Sequence, residues 1–157
     1  MATRSIVAEV TPTGWRGRYC HWDGHPATKV DQLLLLVARD GVETVTRTLI
    51  QDHYSWSVID PFTSYETDAV GKWVDGYGWA HNDIEEDEAA KYTFTHEDTD
   101  FAWAEYLYVF GEKGLQVWTA EKNGDADTWT TDKDSFHPYL DGTVLEGLAF
   151  VEKVRNA

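Results

Sequence analysis

The feature that most constrains this chain is a pair of apolar stripes at helical spacing, separated by Asp40-Gly41. Val30, Leu33, Leu34 and Val37 recur at i, i+3, i+4 and i+7, which gives a helix over residues 28–39 one buried face. Thr28 is the expected cap, with Asp31 three residues on as a variant of the capping box. Asp40-Gly41 stops that helix, and Val42, Val45 and Leu49, widened by Ile50, form a second stripe over residues 42–53. Two short helices joined at a glycine make an αα-hairpin whose apolar side must lie on something. The rest of the chain offers strands.

Residues 5–10 are apolar enough for an opening strand, and residues 11–17, with Pro12, Gly14 and Gly17, read as a turn. Residues 18–22 follow as a short strand with Tyr19 and His21 on one face and Cys20 and Trp22 on the other. Asp23-Gly24 turns the chain, and Pro26 suits the entry to the first helix. Residues 55–79 lose periodicity and read as aromatic-rich connecting structure with room for a strand or two. Residues 92–95 suit a strand. The clearest β signal is 105–119, where Tyr106, Tyr108 and Phe110 alternate with Leu107 and Val109 before a turn at Gly111–Gly114 and a returning strand. Residues 125–134 read as a polar loop around Trp129, and 144–154 as a closing strand.

A chain of 157 residues with neither repeat nor low-complexity linker fits one domain. The expected fold is α+β: a single domain over 1–157, an antiparallel sheet with the αα-hairpin packed on one face. Residues 1–56 hold the motif strand and both helices, and 57–157 the acidic, aromatic, β-rich part. A single cysteine excludes an internal disulfide and any four-cysteine zinc site, which favours a cytoplasmic setting. The opening MATRSIVAEV lacks the apolar core of a secretion peptide, and the longest apolar run, 33–38, falls far short of the ~20 residues that span a bilayer. No membrane association is expected.

Charge is distributed one-sidedly. Residues 1–56 balance six acids with six bases, whereas 57–157 carry 22 acids against seven bases and so the whole formal charge of −15. Such a field repels nucleic acid and acidic membranes and steers basic surfaces inward. Direct nucleic-acid binding is therefore not expected, and a basic protein partner is. An aromatic flanked by acids anchors arginine-rich segments well. The residues expected to meet that partner are Trp79, Asp83, Glu85, Glu86, Asp87, Glu88, Asp98, Asp100, Trp103, Asp125, Asp127 and Trp129.

Residues 20–25 are the other concentration of chemistry. Cys20, His21 and Asp23 carry the residue types of an activated nucleophile: a thiol, a base and an orienting carboxylate. Neighbours in a strand point to opposite faces, so His21 does not serve Cys20, and Cys20 reads first as a small buried hydrophobe. His21, Asp23 and His25, spaced by two, are candidate ligands for zinc or a similar ion, but the Asp23-Gly24 turn breaks their common face. Residues 123–127 lack the pattern of a calcium loop, and no glycine-rich phosphate loop, Gly-x-Ser-x-Gly or His-Glu-x-x-His occurs. No cofactor is expected.

The run Arg18-Tyr-Cys-His-Trp-Asp-Gly-His-Pro26, followed by a leucine-rich helix, resembles small proteins of bacteriophages, plasmids and actinobacteria with a Tyr-x-His-Trp-Asp-Gly-Tyr-Pro-like opening. The likeness covers about residues 15–60, and 104–119 more loosely; position 25 is His where the pattern has an aromatic. It implies a cytoplasmic accessory protein of mobile elements and supplies no activity. The expected function is a non-enzymatic acidic binding protein that engages a basic host or defence protein, in the manner of a nucleic-acid charge mimic. The alternatives are a small enzyme or metal-binding protein built on Cys20, His21 and Asp23, and a structural or virion-associated protein.

Overall fold

The computed structural model of the chain describes residues 3–62, 72–81, 91–123 and 126–140. The fold is α+β. Among the described residues ten strands form one sheet, and two helices follow one another between its second and third strands. The strand expected at 144–154 lies outside the described residues.

Strand β1 (Ser5–Val10) is central because it is apolar on both faces: Ile6, Val7 and Ala8 are all fully buried. The turn after it is shorter than the sequence indicates. Thr11 and Gly14 close it with a backbone hydrogen bond of 2.8 Å, and β2 already begins at Trp15 and runs to Cys20. Gly17 is therefore a strand residue, and close packing is its reason: a Cβ there would stand 2.6 Å from the Val7 carbonyl oxygen. His21 and Trp22 lie beyond β2, although their N–H groups still donate to the Trp56 and Ser57 carbonyls at 2.9 Å.

Helix α1 spans Pro26–Asp40, two residues earlier than expected, because His25 rather than Thr28 is the cap: its side chain accepts from the Ala27 N–H. Gly41, at φ 86°, ends α1 and opens α2 (Val42–Thr46) with no loop between them. A π-helical turn, Arg47–Gln51, completes what the sequence reads as one second helix. The expected stripes are buried at Val30, Leu33, Leu34, Val37, Val45, Leu49 and Ile50, with Leu36 added, whereas Val42 is only half-buried.

The sheet corrects the antiparallel expectation. Its order is β10-β8-β7-β1-β2-β3-β5-β4, with β6 also on β2 and β9 also on β8, and two of its pairings, β1 with β7 and β2 with β3, are parallel. β3 is Ser55–Ile59, β4 Lys72–Val74, β5 Gly78–His81, β6 Thr93–Thr95, β7 Tyr106–Phe110, β8 Gly114–Asn123, β9 Ala126–Thr130 and β10 Phe136–Pro138. For β2 and β3 the physical reason is the helical segment between them: a strand, a helical crossover and a second strand return the chain in the same direction. Residues 55–79 contribute strands, as the sequence allows, and β5 runs on to His81. One sequence reading changes: the polar loop expected at 125–134 contains β9, held on β8 from Thr119↔Thr130 to Asn123↔Ala126.

Two apolar clusters follow from strand alternation. Val7, Cys20, Trp56, Ala80, Tyr108 and Phe110 join the helix stripes, while Ile6, Ala8, Leu107 and Val109 join Phe94, Phe101 and Ala104 in a second cluster. Trp56 alone of the eight tryptophans is fully buried. Trp15, Trp118 and Trp129 are half-buried against the second cluster.

Candidate functional site

Alternation also decides which polar residues meet. Across Tyr19↔Ser55↔His81 and Cys20↔Trp56↔Ala80, the second row enters the helix-side core. The first row is turned the other way. There Tyr19, His21, Ser55, Ser57, His81 and Tyr92, with Trp56, line a cavity of about 220 Å³. The β6 side closes it, where the Tyr19 N–H donates to the Tyr92 carbonyl at 3.1 Å.

A hydrogen bond of 3.0 Å joins the Tyr19 hydroxyl to His21 Nδ1. Burial pushes the Tyr19 phenol above its ordinary value, although Arg4 beside it works the other way. Burial holds the His21 imidazole below its ordinary value, and the positive charges of Arg4 and His81 add to that. His81 stacks on Trp79, ring centroids 6.2 Å apart. The lining therefore offers imidazoles, phenols and hydroxyls beside a guanidinium, and among the described residues it contains no carboxylate.

Of these groups the sequence singles out only His21 and Trp79. Arg4, Tyr19, Ser55, Ser57, His81 and Tyr92 come from five separate stretches of chain, and the one local signal is the spacing of two between Tyr19 and His21.

Residues 20–25 disperse. Cys20 is fully buried on the helix side, where Lys29 Nζ, itself fully buried, donates to its sulfur at 3.7 Å. His21 points away from it. Asp23 is an exposed turn residue at φ 59°, and His25 caps α1 with its ring edge against Tyr106 at 5.5 Å. The turn also differs from expectation, since Asp23 and not Gly24 takes the positive φ. Four groups aimed at four places make neither a nucleophile pair nor a ligand set.

The acidic, aromatic residues gather instead. The Asp127 N–H donates to the Thr99 carbonyl at 2.9 Å, and Trp129 stacks on Phe101 at 4.1 Å between centroids, so the segment after β6 lies on the β8–β9 hairpin. Asp98 accepts from the Thr95 N–H at 2.7 Å, Asp100 from the Ala102 N–H at 3.0 Å, and Asp127 from the Phe101 N–H at 3.4 Å. These bonds hold Ala102 and Trp103 at φ 50° and 69° and leave Trp103 73% exposed. Lys122 Nζ stands 5.2 Å from the Trp103 ring centroid. Asp98, Asp100, Trp103, Asp127 and Trp129 thus lie on one part of the fold, where Lys122 also pairs with the largely buried Asp127 carboxylate at 3.4 Å. Trp79 stands apart, on β5 beside Trp73 and His81. Asp83, Glu85, Glu86, Asp87, Glu88 and Asp125 lie outside the described residues.

Compared with protein-family models, curated proteins and solved structures, the chain matches none of them.

Proposed function

We propose that this chain is a non-enzymatic acidic binding protein of a phage or mobile element, active in the cytoplasm against a basic host or defence protein. The observation that carries this reading is the Trp103 loop. Two consecutive non-glycine residues with left-handed backbone cost of order 1–3 kcal/mol each, and such strain persists where surrounding contacts impose it. Here its product is a tryptophan presented to solvent amid acids. From Glu97 to Glu105 the sequence places four carboxylates and no lysine or arginine. Lys122 over the ring supplies the pattern a partner would copy: an incoming arginine takes the same face of the indole while its charge meets Asp98 and Asp100.

In this reading the αα-hairpin packed on one side of the sheet is scaffold, and the second apolar cluster supports the binding loop. The charge of 57–157 steers the partner, as a nucleic acid would.

Affinity capture of bacterial protein on the immobilised chain, at low and high salt, tests it. The wild type should retain a basic nucleic-acid-handling protein at low salt and release it at high salt. Trp103→Ala should lose it. The double variant Asp98→Asn/Asp100→Asn keeps both acceptors but not their charge, and should weaken capture without unfolding the loop. Equal capture by all three proteins, or capture indifferent to salt, would remove the reading.

A further inference from the structure

We propose that Cys20 and Lys29 form a redox modification site: hydrogen peroxide oxidises the thiol, and the lysine amine captures the oxidised sulfur as a sulfenamide, a covalent S–N link between β2 and α1. The site shares no residue with the acidic surface and does not depend on it.

The fold brings the two groups together. Cys20 ends β2 with its side chain in the helix-side core, the chain turns at Asp23-Gly24, and Lys29 falls in the first turn of α1. Both residues are fully buried, and Lys29 Nζ stands 3.7 Å from Cys20 Sγ. Among the described residues that sulfur is the only hydrogen-bond acceptor of the amine, and Lys29 joins no salt bridge. The Trp22 carbonyl, 3.5 Å from the sulfur, holds the thiol from its other side. A lysine ordinarily carries its charge out to water along its stem. Here the amine is directed inward, and a thiol satisfies it poorly. A bond between nitrogen and sulfur removes the charge and most of the unmet N–H groups together.

A buried cysteine by itself is inert, and the amine changes that in two ways. It is first a base. The thiol passes its proton to Nζ, and the thiolate attacks one oxygen of the peroxide. The S–O bond forms and the O–O bond breaks; sulfur gives up two electrons, the peroxide gains them, and the departing hydroxide recovers the proton from Nζ as water. The neutral amine then attacks the sulfenic sulfur. The S–N bond forms, the S–O bond breaks, and hydroxide leaves with a proton from nitrogen as a second water. One thiol, one amine and one hydrogen peroxide thus give one sulfenamide and two waters.

Proximity is the second contribution. Oxidation beyond the sulfenic acid needs another peroxide molecule at a buried site, whereas the amine is already in place. Hydrogen peroxide is little larger than water, and local opening of the exposed Trp22-Asp23 turn admits it.

The test is a peptide map. The full chain, reduced and then freed of reductant, is treated with hydrogen peroxide, denatured and cut with trypsin. Trypsin cleaves the unmodified chain after Arg18, Lys29 and Arg39. A sulfenamide on Lys29 blocks the middle cleavage, so residues 19–39 should appear as one peptide, lighter than its sequence by two hydrogens, about 2 Da. A thiol reductant should restore both mass and cleavage. Met1, the only methionine, lies outside this peptide, so its oxidation does not disturb the reading. In Lys29→Met the loss of mass should be absent and Cys20 should pass on to sulfinic acid. Wild-type chain oxidised in urea should do the same, because the contact is gone, and this arm requires no variant to fold. Cleavage at Lys29 that persists after peroxide, with Cys20 unchanged or at sulfinic acid, would overturn the proposal. The same link formed in urea would remove the fold as its cause. An uncleaved peptide heavier by an oxygen, less two hydrogens, would replace the sulfenamide by an oxygen-bridged link.

Discussion

Single residues of this chain carry opposite energetic signs. Lys29 is fully buried on α1, with the thiol of Cys20 as its hydrogen-bond acceptor at 3.7 Å. A thiol is a poor partner for an amine, so most of the desolvation cost stands uncompensated. Lys29→Met keeps the stem and removes the amine. It should raise stability by about 1–3 kcal/mol, read as a higher urea midpoint at unchanged slope. A lower midpoint would mean that the amine organises this core. Gly24 is the reverse case. Its N–H donates to the Thr3 carbonyl at 2.9 Å, its own carbonyl accepts from the Tyr108 hydroxyl, and a Cβ would lie 2.5 Å from the Thr3 oxygen. Gly24→Ala should cost about 1–3 kcal/mol through overpacking against backbone that cannot yield. Both effects were invisible in the sequence. Lys29 lies off the apolar stripe and Gly24 reads as a turn glycine, because neither Cys20 nor Thr3 is a local neighbour on the relevant face.

Between elements, the end of α1 is tied to the β4–β5 hairpin by polar contacts. Arg39 donates to the Pro61 carbonyl at 3.0 Å and to the Gly76 carbonyl at 2.8 Å, and also pairs with Asp40, which accepts from the Tyr77 hydroxyl. Burial works against ionisation of Asp40, but the hydrogen bonds from Arg39 and Tyr77 outweigh it and hold its carboxyl below the ordinary value. A lowered acid contributes stability above its unfolded value, and loses that contribution as pH falls through the folded one. Tyr77 has the opposite sign. Burial and then Asp40 push its phenol up to about 12, and burial alone does the same for Tyr139. For a raised group the contribution is complete below the unfolded value of about 10 and disappears as pH rises through the folded value. Stability followed by tryptophan fluorescence should therefore fall between pH about 10 and about 12, and Tyr77→Phe should lessen that fall. An unchanged alkaline profile in Tyr77→Phe would mean that the hydroxyl is ionised as easily folded as unfolded. The helix periods and the β7–β8 hairpin were legible because each is a local pattern with its own turn. The tie between Arg39 and Gly76 joins residues 37 positions apart, and no periodicity encodes it.

At the scale of the molecule, charge is the dominant fact. A formal charge of −15 on 157 residues repels itself in the compact state, and salt screens that repulsion. Raising ionic strength from about 0.01 M to about 0.15 M, where the Debye length falls from about 30 to about 8 Å, should raise the thermal midpoint. A midpoint that falls would mean that ion pairs, such as Arg16–Glu9 at 3.1 Å, matter more than the net field. No helix among the described residues is long and apolar enough to cross a membrane. The sequence by itself determined the α+β class, the buried helix stripes, the Tyr106–Phe110 hairpin strand and the acidic half. Each of these is written in composition or in periods of 2 and 3.6, which steric rules convert directly into buried faces. Only the tertiary structure decided that β1 and β2 take parallel neighbours, that Cys20 and His21 end on opposite sides of the sheet with His21 near His81, and that Asp127 and Trp129 lie on the segment that carries Asp98, Asp100 and Trp103. Those outcomes depend on which strand edges pair after the helical crossover, and pairing is settled by the burial of whole faces against each other, a sum over distant residues that no single stretch contains.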